Sequence, residues 1–309
     1  MFHHQEDEKT IKQISEFMNR VSVEVTPKSF AKLPQALNEY LMPETSVYIT
    51  HLQGSFLADT AGAAAKILEQ GFRPICHIGA RNLRSETELD EGLAQMNAAG
   101  VRDILLLAGG GDGKTSPYQD SLAVLESGKL EKYQLRSVGF AGHPEGNPAT
   151  TLEKTRDSLR IKAEYAKSNP RDYYLITQFC FTAEPVLNWW RQTREQIPFW
   201  NSLHIGIPGV TNSASLLRHA TNCGVGASIS FLKNNGGFLR RFFMNDITAP
   251  GKLIRDLAAA RLNSALEGDV SLHFFPLGAF TRTTAWMRSV QSNHYKLHRK
   301  KGIVVHTPN

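Results

Sequence analysis

The sequence predicts an α/β protein built as a closed (β/α)8 TIM barrel, with extra helical structure between the seventh and eighth strands. Eight short apolar runs rich in β-branched and aromatic residues carry this prediction, together with the segments of helical period between them. The first seven runs start roughly 25 to 40 residues apart, about the span of a strand, a helix and two short loops. An open doubly wound sheet shares this periodicity, but eight units within about 290 residues fit a closed barrel better.

The expected strands are Val21 to Val25, Ser46 to Thr50, Pro74 to Ile78, Asp103 to Leu107, Arg136 to Phe140, Tyr173 to Gln178, Leu203 to Ile207 and Ser271 to Phe275. A helix running from Leu57 to Gln70 stops at Gly71. Ser85-Glu86-Thr87-Glu88 has the spacing of a capping box, in which the serine oxygen takes the N–H three residues on and Glu88 reaches back. Leu89, Leu93 and Met96 then form one apolar face, and Gly100 supplies the left-handed stop. Thr150 with Glu153 repeats the capping arrangement. Between strands seven and eight, Asn212 to Thr221 and Lys252 to Leu266 both read as helices. No linker rich in Pro, Gly or Ser divides the chain, so one catalytic barrel is expected over residues 1–292, with a basic tail over 293–309.

Composition excludes several classes. With 41% hydrophobic and 21% charged residues the chain is neither disordered nor collagen-like. No stretch approaches the roughly 20 apolar residues that span a bilayer, and the acidic start lacks the pattern of a signal peptide. Cys76, Cys180 and Cys223 are odd in number, far apart and without Cys-x-x-Cys spacing, so a reducing cytoplasm is expected and no disulfide framework or zinc ribbon. The formal charge is +6, but without Lys296, Arg299, Lys300 and Lys301 it is +2. A terminal cluster reads as a solvated tail, whereas a nucleic-acid binder carries a basic stripe across its fold.

A barrel places its chemistry at the carboxyl ends of its strands. Glu24 stands near the end of the first, and alternation puts it on the face opposite Val21, Val23 and Val25. Desolvation at a barrel mouth raises a carboxyl pKa toward the range of a general acid. An interior glutamate satisfied by a neighbouring Lys or Arg is the other reading. Thr50-His51 ends the second strand, His77 the third, His143 follows the fifth, and the sixth finishes Ile176-Thr177-Gln178-Phe179. Polar groups converging on one end of a barrel suit a planar, heteroatom-rich ligand.

The fourth strand runs into Ala108-Gly109-Gly110-Gly111-Asp112-Gly113-Lys114-Thr115, close to the P-loop pattern of a nucleotide-binding protein. Ala108 replaces the first glycine, however, and Ser116-Pro117 stands where the phosphate-binding helix should run. A glycine run still lets backbone N–H groups approach a phosphate or a flat ring. No His-x-His or His-Glu-x-x-His occurs, so no metal site is expected.

These segments together resemble the methylenetetrahydrofolate reductase family, from about Val21 to Trp286. Glu24 before Thr26-Pro27 is similar to its first-strand Phe-Glu-Phe-x-Pro-Pro segment, and His77 after Pro74 to its third-strand Pro-His-Leu. Ile176-Thr177-Gln178-Phe179-x-Phe181 follows the family's Ile-Thr-Gln-Phe-x-Phe almost letter for letter. His143-Pro144-Glu145-Gly146-Asn147-Pro148 is similar to its Tyr-Pro-Glu-x-His-Pro loop, Ile207-Pro208-Gly209-Val210 to its Pro-Gly-Ile, and His273-Phe274-Phe275-x-Leu277 to its His-Phe-Tyr-x-Leu.

The resemblance implies a barrel that interconverts 5,10-methylenetetrahydrofolate and 5-methyltetrahydrofolate with NAD(P)H, through FAD or by direct hydride transfer. It implies that Glu24 protonates N10, that Gln178 binds the pterin, and that Thr50 and His77 line the isoalloxazine or nicotinamide site. Ala108, Gly109, Gly110, His143, Asn147 and Lys162 fall at its cofactor positions. The departures lie mostly on the flavin side. Where the family has Leu-Arg-Gly-Asp, this chain has Leu107-Ala108-Gly109-Gly110, and Thr155 replaces an aspartate, so charge-assisted contacts to a dinucleotide are lost. Ala279 replaces the arginine that would hold the folate glutamate, with Arg282 a few residues on. Two enzymatic alternatives are a flavin-free reductase and a chain that works mainly in reverse. Outside enzymes, the alternative is a non-catalytic folate- or nucleotide-binding barrel. A tetrahydrofolate-type small molecule is the expected partner, with no nucleic acid and no membrane.

Overall fold

The computed structural model describes residues 2–111, 113–147, 150–222 and 247–305. Each expected run is a strand, its ends shifted by no more than two residues: β1 Val21–Val25, β2 Ser46–Ile49, β3 Arg73–Gly79, β4 Asp103–Leu107, β5 Ser137–Gly142, β6 Asp172–Phe179, β7 Ser202–Pro208 and, after the short pair β8 Thr211–Asn212 and β9 Ile247–Thr248, β10 Asp269–Phe275. The eight long strands close into a barrel in the order β1-β10-β7-β6-β5-β4-β3-β2. Helices alternate with them, among them α1 Phe2–Met18, α2 Pro27–Phe30, α3 Leu57–Glu69, α4 Glu86–Ala98, α5 Ser121–Glu126, α6 Leu152–Ser168, α7 Ala183–Gln196 and α8 Ser213–Asn222. No described helix is long and apolar enough to cross a membrane.

The chain forms two compact units, residues 22–141 with 157–176, and residues 1–21 with 142–156 and 177–309. In the first, β1 to β5 pair in parallel, with Glu24 opposite Tyr48, Tyr48 opposite Ile75, and His77 opposite Leu105. Side chains alternate along each strand, so Tyr48, Ile75, Leu105, Tyr174 and Ile176 meet as one buried cluster on the lumen face. Arg73, Asp103 and Ser137 are the first residues of β3, β4 and β5. Asp103 accepts from Arg73 Nε (3.0 Å) and Nη2 (2.8 Å), from Arg136 Nε (3.1 Å) and from Ser137 Oγ (2.6 Å), which satisfies a buried carboxylate at the amino end of the lumen.

On the outside, Leu89, Leu93 and Met96 of α4 are buried as the periodicity requires. Ser85 caps α4 by accepting from Glu88 N (3.1 Å), but Glu88 does not close the expected box. Its carboxylate takes Arg84 N (2.8 Å) and Leu57 N (3.0 Å) instead, joining the starts of α4 and α3. The cap of α6 also differs. Thr151, not Thr150, accepts from Lys154 N (3.2 Å).

In the second unit β10 pairs in parallel with β7, with His273 opposite Gly206. The N-terminal helix α1 escapes the sequence reading because most of its residues are charged or polar, yet Ile14, Phe17 and Met18 bury one stripe. It packs against the helices Gly251–Leu262 and Phe280–Gln291. The expected helices in the insertion appear as α8 and Gly251–Leu262, while Cys223 lies outside the described residues. Within residues 293–309, expected as a basic tail, Lys296, Arg299, Lys300 and Lys301 are exposed, but residues 295–298 and 302–305 are ordered as strands. β11 Tyr295–His298 and β12 Gly302–Val305 form an antiparallel hairpin, and Ile303 is buried. Gly251 and Gly302 let the backbones of this hairpin and of the helix Gly251–Leu262 approach so closely that a Cβ on either would collide with the other element's backbone.

Candidate functional site

Toward the carboxyl end of the first unit's lumen, Glu24 and His77 face each other across β1 and β3. Glu24 Oε2 lies 3.7 Å from His77 Nε2, with side-chain exposures of 21% and 7% respectively. The Tyr48 ring meets His77 edge-on at 5.8 Å, and Tyr48 Oη donates to Tyr174 Oη at 2.9 Å. Burial raises both tyrosine pKa values, so both stay neutral. Sequence reasoning missed this tyrosine pair, although its signal was available: Tyr48 pairs directly with Glu24 and shares its face. The acid therefore stands above a buried, hydrogen-bonded layer and is itself partly open. Thr50, just past β2 on the same face, is buried, and its Oγ1 has no hydrogen-bond partner among the described residues.

Around this mouth the loops are tied together by Asn82. Its Nδ2 donates to His51 O (2.7 Å), and its Oδ1 accepts from Gly110 N (3.1 Å). Gly79 N donates to His51 Nδ1 (3.2 Å), which puts the ring proton on Nε2 in the neutral imidazole. Burial lowers the His51 pKa and favours that form. Ala108 O accepts from Arg81 N (2.8 Å), and Gly109 (φ +86°) and Gly111 (φ +72°) turn the chain through the left-handed region. Lys114 to Pro117 form no helix, and the next one, α5, begins only at Ser121 behind an Asp120 cap, so the helix that a P-loop requires is missing. Lys162 lies apart from this mouth. Its Nζ sits 5.2 Å from the ring of Phe140, which alternation places on the outer face because Gly139 abuts Tyr174 in the lumen. Burial pushes the Lys162 ammonium down to about 8.

In the second unit, Gln178 is half-buried, and its Oε1 accepts from Phe179 N (3.1 Å). Thr177 Oγ1 accepts from Gly206 N (2.8 Å), fixing β6 to β7 beside it. Phe179 packs against Phe181, Phe275 and Leu277, and Leu277 adopts φ +52°, a left-handed conformation rare for leucine. His273, present in the sequence motif without an assigned role, is completely buried on β10, and burial lowers its pKa to about 3. Asn147 Nδ2 and His143 Nε2 lie 3.4 Å apart in the loop after β5. Arg282 is exposed in the first turn of the helix Phe280–Gln291.

The eight-stranded parallel barrel defines the class of a (β/α)8 barrel protein, with a partly exposed carboxylate near its strand ends. The chain belongs to the methylenetetrahydrofolate reductase family, whose family model matches residues 10–234. That span includes Glu24, Thr50, His77, the glycine loop and Gln178, and ends before β10 and Arg282. Among solved structures, the chain is similar to an uncharacterized protein from Clostridium thermocellum that binds two copies of 5-methyl-5,6,7,8-tetrahydrofolic acid. The two share 10% identity and a TM-score of 0.60, over 89% of this chain and 95% of that one. A lysine/ornithine decarboxylase from Vibrio vulnificus gives 13% identity and 0.43, over 87% and 61%. A putative phosphonomutase from Burkholderia cenocepacia gives 8% and 0.42, over 89% and 96%. At such TM-scores the last two say nothing about this chain's chemistry.

Proposed function

We propose that the chain binds a reduced folate at the carboxyl ends of its barrel strands and interconverts 5,10-methylenetetrahydrofolate and 5-methyltetrahydrofolate. Family membership and the folate ligand of the Clostridium thermocellum protein support the binding. The observation that carries the chemistry is Glu24, open to the mouth with His77 Nε2 3.7 Å away. A pure binder has no need of an acid there. In the reductive direction Glu24 delivers its proton to N10, the C–N10 bond breaks with its electron pair going to nitrogen, and the methylene carbon is left as an N5 iminium. His77 steadies the carboxylate left behind. A reduced nicotinamide nucleotide would supply the hydride that completes the methyl group. Thr50 offers a buried hydroxyl to a polar group of either ligand.

FAD does not fit the residues at its expected positions. Ala108 brings no charge to the phosphate side, and the Lys162 ammonium is spent against Phe140 on the outer face of β5. These losses favour one second reading, a folate-binding barrel without turnover. Glu24→Gln separates the two. Turnover of methylenetetrahydrofolate with NADPH should fall by about 10²-fold or more while 5-methyltetrahydrofolate affinity stays within a few-fold. Undiminished turnover in the variant would refute the acid role, and an inactive wild-type chain that still binds folate would leave only the binding barrel.

A further inference from the structure

Resting on the reading of a nicotinamide-dependent site, we infer that the rim formed by the loops after β2, β3 and β4 is the subsite for the adenosine half of the dinucleotide, and that Arg84 makes it select a 2′-phosphate. Leu52 and Phe56 are the two large apolar residues of the β2 loop that stay more than half exposed, at 51% and 52%. The Arg84 guanidinium lies over Phe56, its Cζ 3.6 Å from the ring centroid, and its Nη2 donates to Gly54 O (2.9 Å). An arginine fixed this way on an aromatic ring presents a flat plate for a base, with N–H donors at its edge for a phosphate.

Charge on this rim points the same way. Arg84 has no carboxylate partner among the described residues, and neither has Arg81, whose Nε is used by Gln119 O (2.7 Å). The nearby carboxylates keep their charge but are held by backbone N–H groups. Glu88 accepts from Leu57 N and Arg84 N, and Asp59 accepts from Phe56 N (3.1 Å). The Arg84 guanidinium beside an exposed aromatic, with Arg81 earlier in the same loop, suits a phosphate dianion attached to a planar base.

The glycine loop joins this plate to the mouth. Gln53 lies against Gly110 and Gly111, where a Cβ would sit 3.4 and 2.8 Å from its amide, and a Cβ on Gly113 would sit 3.1 Å from Arg81 Cγ. Gly110 and Gly111 are exposed, with Gln53 lying against both and Gly110 N held by Asn82 Oδ1, and the pyrophosphate would cross this loop beside the Gln53 amide. Thr50, with its unpartnered hydroxyl, marks the inner end of the same β2 loop.

A folate's aminobenzoyl-glutamate end also combines a ring with an anion, so the test includes it. Titrations of the full chain would use NADP+, NAD+, adenosine 2′,5′-bisphosphate, p-aminobenzoylglutamate and 5-methyltetrahydrofolate, with wild type, Arg84→Ala and Phe56→Ala. The expected result is at least tenfold preference for NADP+ over NAD+ in wild type. Arg84→Ala should abolish that preference and the bisphosphate binding, Phe56→Ala should weaken both dinucleotides, and 5-methyltetrahydrofolate affinity should not change. Equal affinity for the two dinucleotides in wild type, unchanged NADP+ binding in Arg84→Ala, or loss of p-aminobenzoylglutamate in its place would overturn the subsite. Those outcomes leave the folate reading intact, whereas bisphosphate binding lost in Arg84→Ala by a chain that takes no folate would uphold the rim and refute that reading.

Discussion

Removing the charge of Asp103 should destabilise the barrel without touching its mouth. The side chain is 2% exposed and accepts from Arg73, Arg136 and Ser137, so Asp103→Asn leaves two guanidinium groups facing an amide. Breaking a buried ion pair on one side costs about 3–5 kcal/mol. Here Arg73 and Arg136 are 45% and 55% exposed and water can rehydrate them, so we reduce the expected loss to about 2 kcal/mol. Burial raises the Asp103 pKa, but hydrogen bonds from Arg73, Arg136 and Ser137 outweigh it and hold the group below its ordinary value. A depressed folded pKa contributes stability that is fully present above about pH 4 and is lost as pH falls through the folded value. Urea unfolding of wild type and variant at a series of pH values measures both effects. The gap between them should be about 2 kcal/mol at pH 7 and narrow below pH 4. Coincident curves at pH 7, or a gap that widens on acidification, would refute the reasoning.

Gly206→Ala should cost about 1–3 kcal/mol in thermal or urea unfolding, because its Cβ would stand 2.6 Å from Thr177 O and 2.7 Å from Gln178 C and O, which are backbone atoms that cannot turn aside. Lys162→Met should stabilise by about 1–3 kcal/mol at pH 7, since it removes a buried ammonium without a carboxylate partner. Because the Lys162 pKa is lowered to about 8, wild-type stability should also rise between that pH and the unfolded value near 10.4, and Lys162→Met should lack this rise. A loss of nucleotide affinity in Lys162→Met would instead show that the lysine reaches a phosphate. Thr50→Val should leave stability unchanged or raised by up to about 1 kcal/mol, since its hydroxyl is buried without a partner, and should weaken ligand binding in the same titrations.

The strands were legible because each is a short apolar run, most of them rich in β-branched or aromatic residues, set between segments of helical period. Glu24, Thr50 and His77 could be placed at strand ends for the same reason, and alternation was enough to turn Glu24 away from its valines. What periodicity could not give was partnership across strands. Asp103 reads simply as the start of an apolar run, and only the register with β3 and β5 shows why a carboxylate stands there. Tyr48 and Tyr174 look like ordinary strand aromatics until closure brings their hydroxyls together. Lys162 has a matching position in the family pattern, but the face of α6 that carries it turns toward Phe140. The helix α1 and the C-terminal hairpin went unseen because both are dense in charge and bury only a few apolar residues.

The central claim is that a reduced folate sits beside Glu24 at the carboxyl ends of the strands. Equilibrium titration of 5-methyltetrahydrofolate into the full chain, followed by tryptophan fluorescence, tests it most directly when repeated with Glu24→Trp, a substitution that would fill the mouth. The account predicts saturable binding by wild type and at least a tenfold loss in Glu24→Trp, with unfolding curves that show the variant still folded. Absence of binding at millimolar folate, or equal affinity in a folded Glu24→Trp chain, would contradict it.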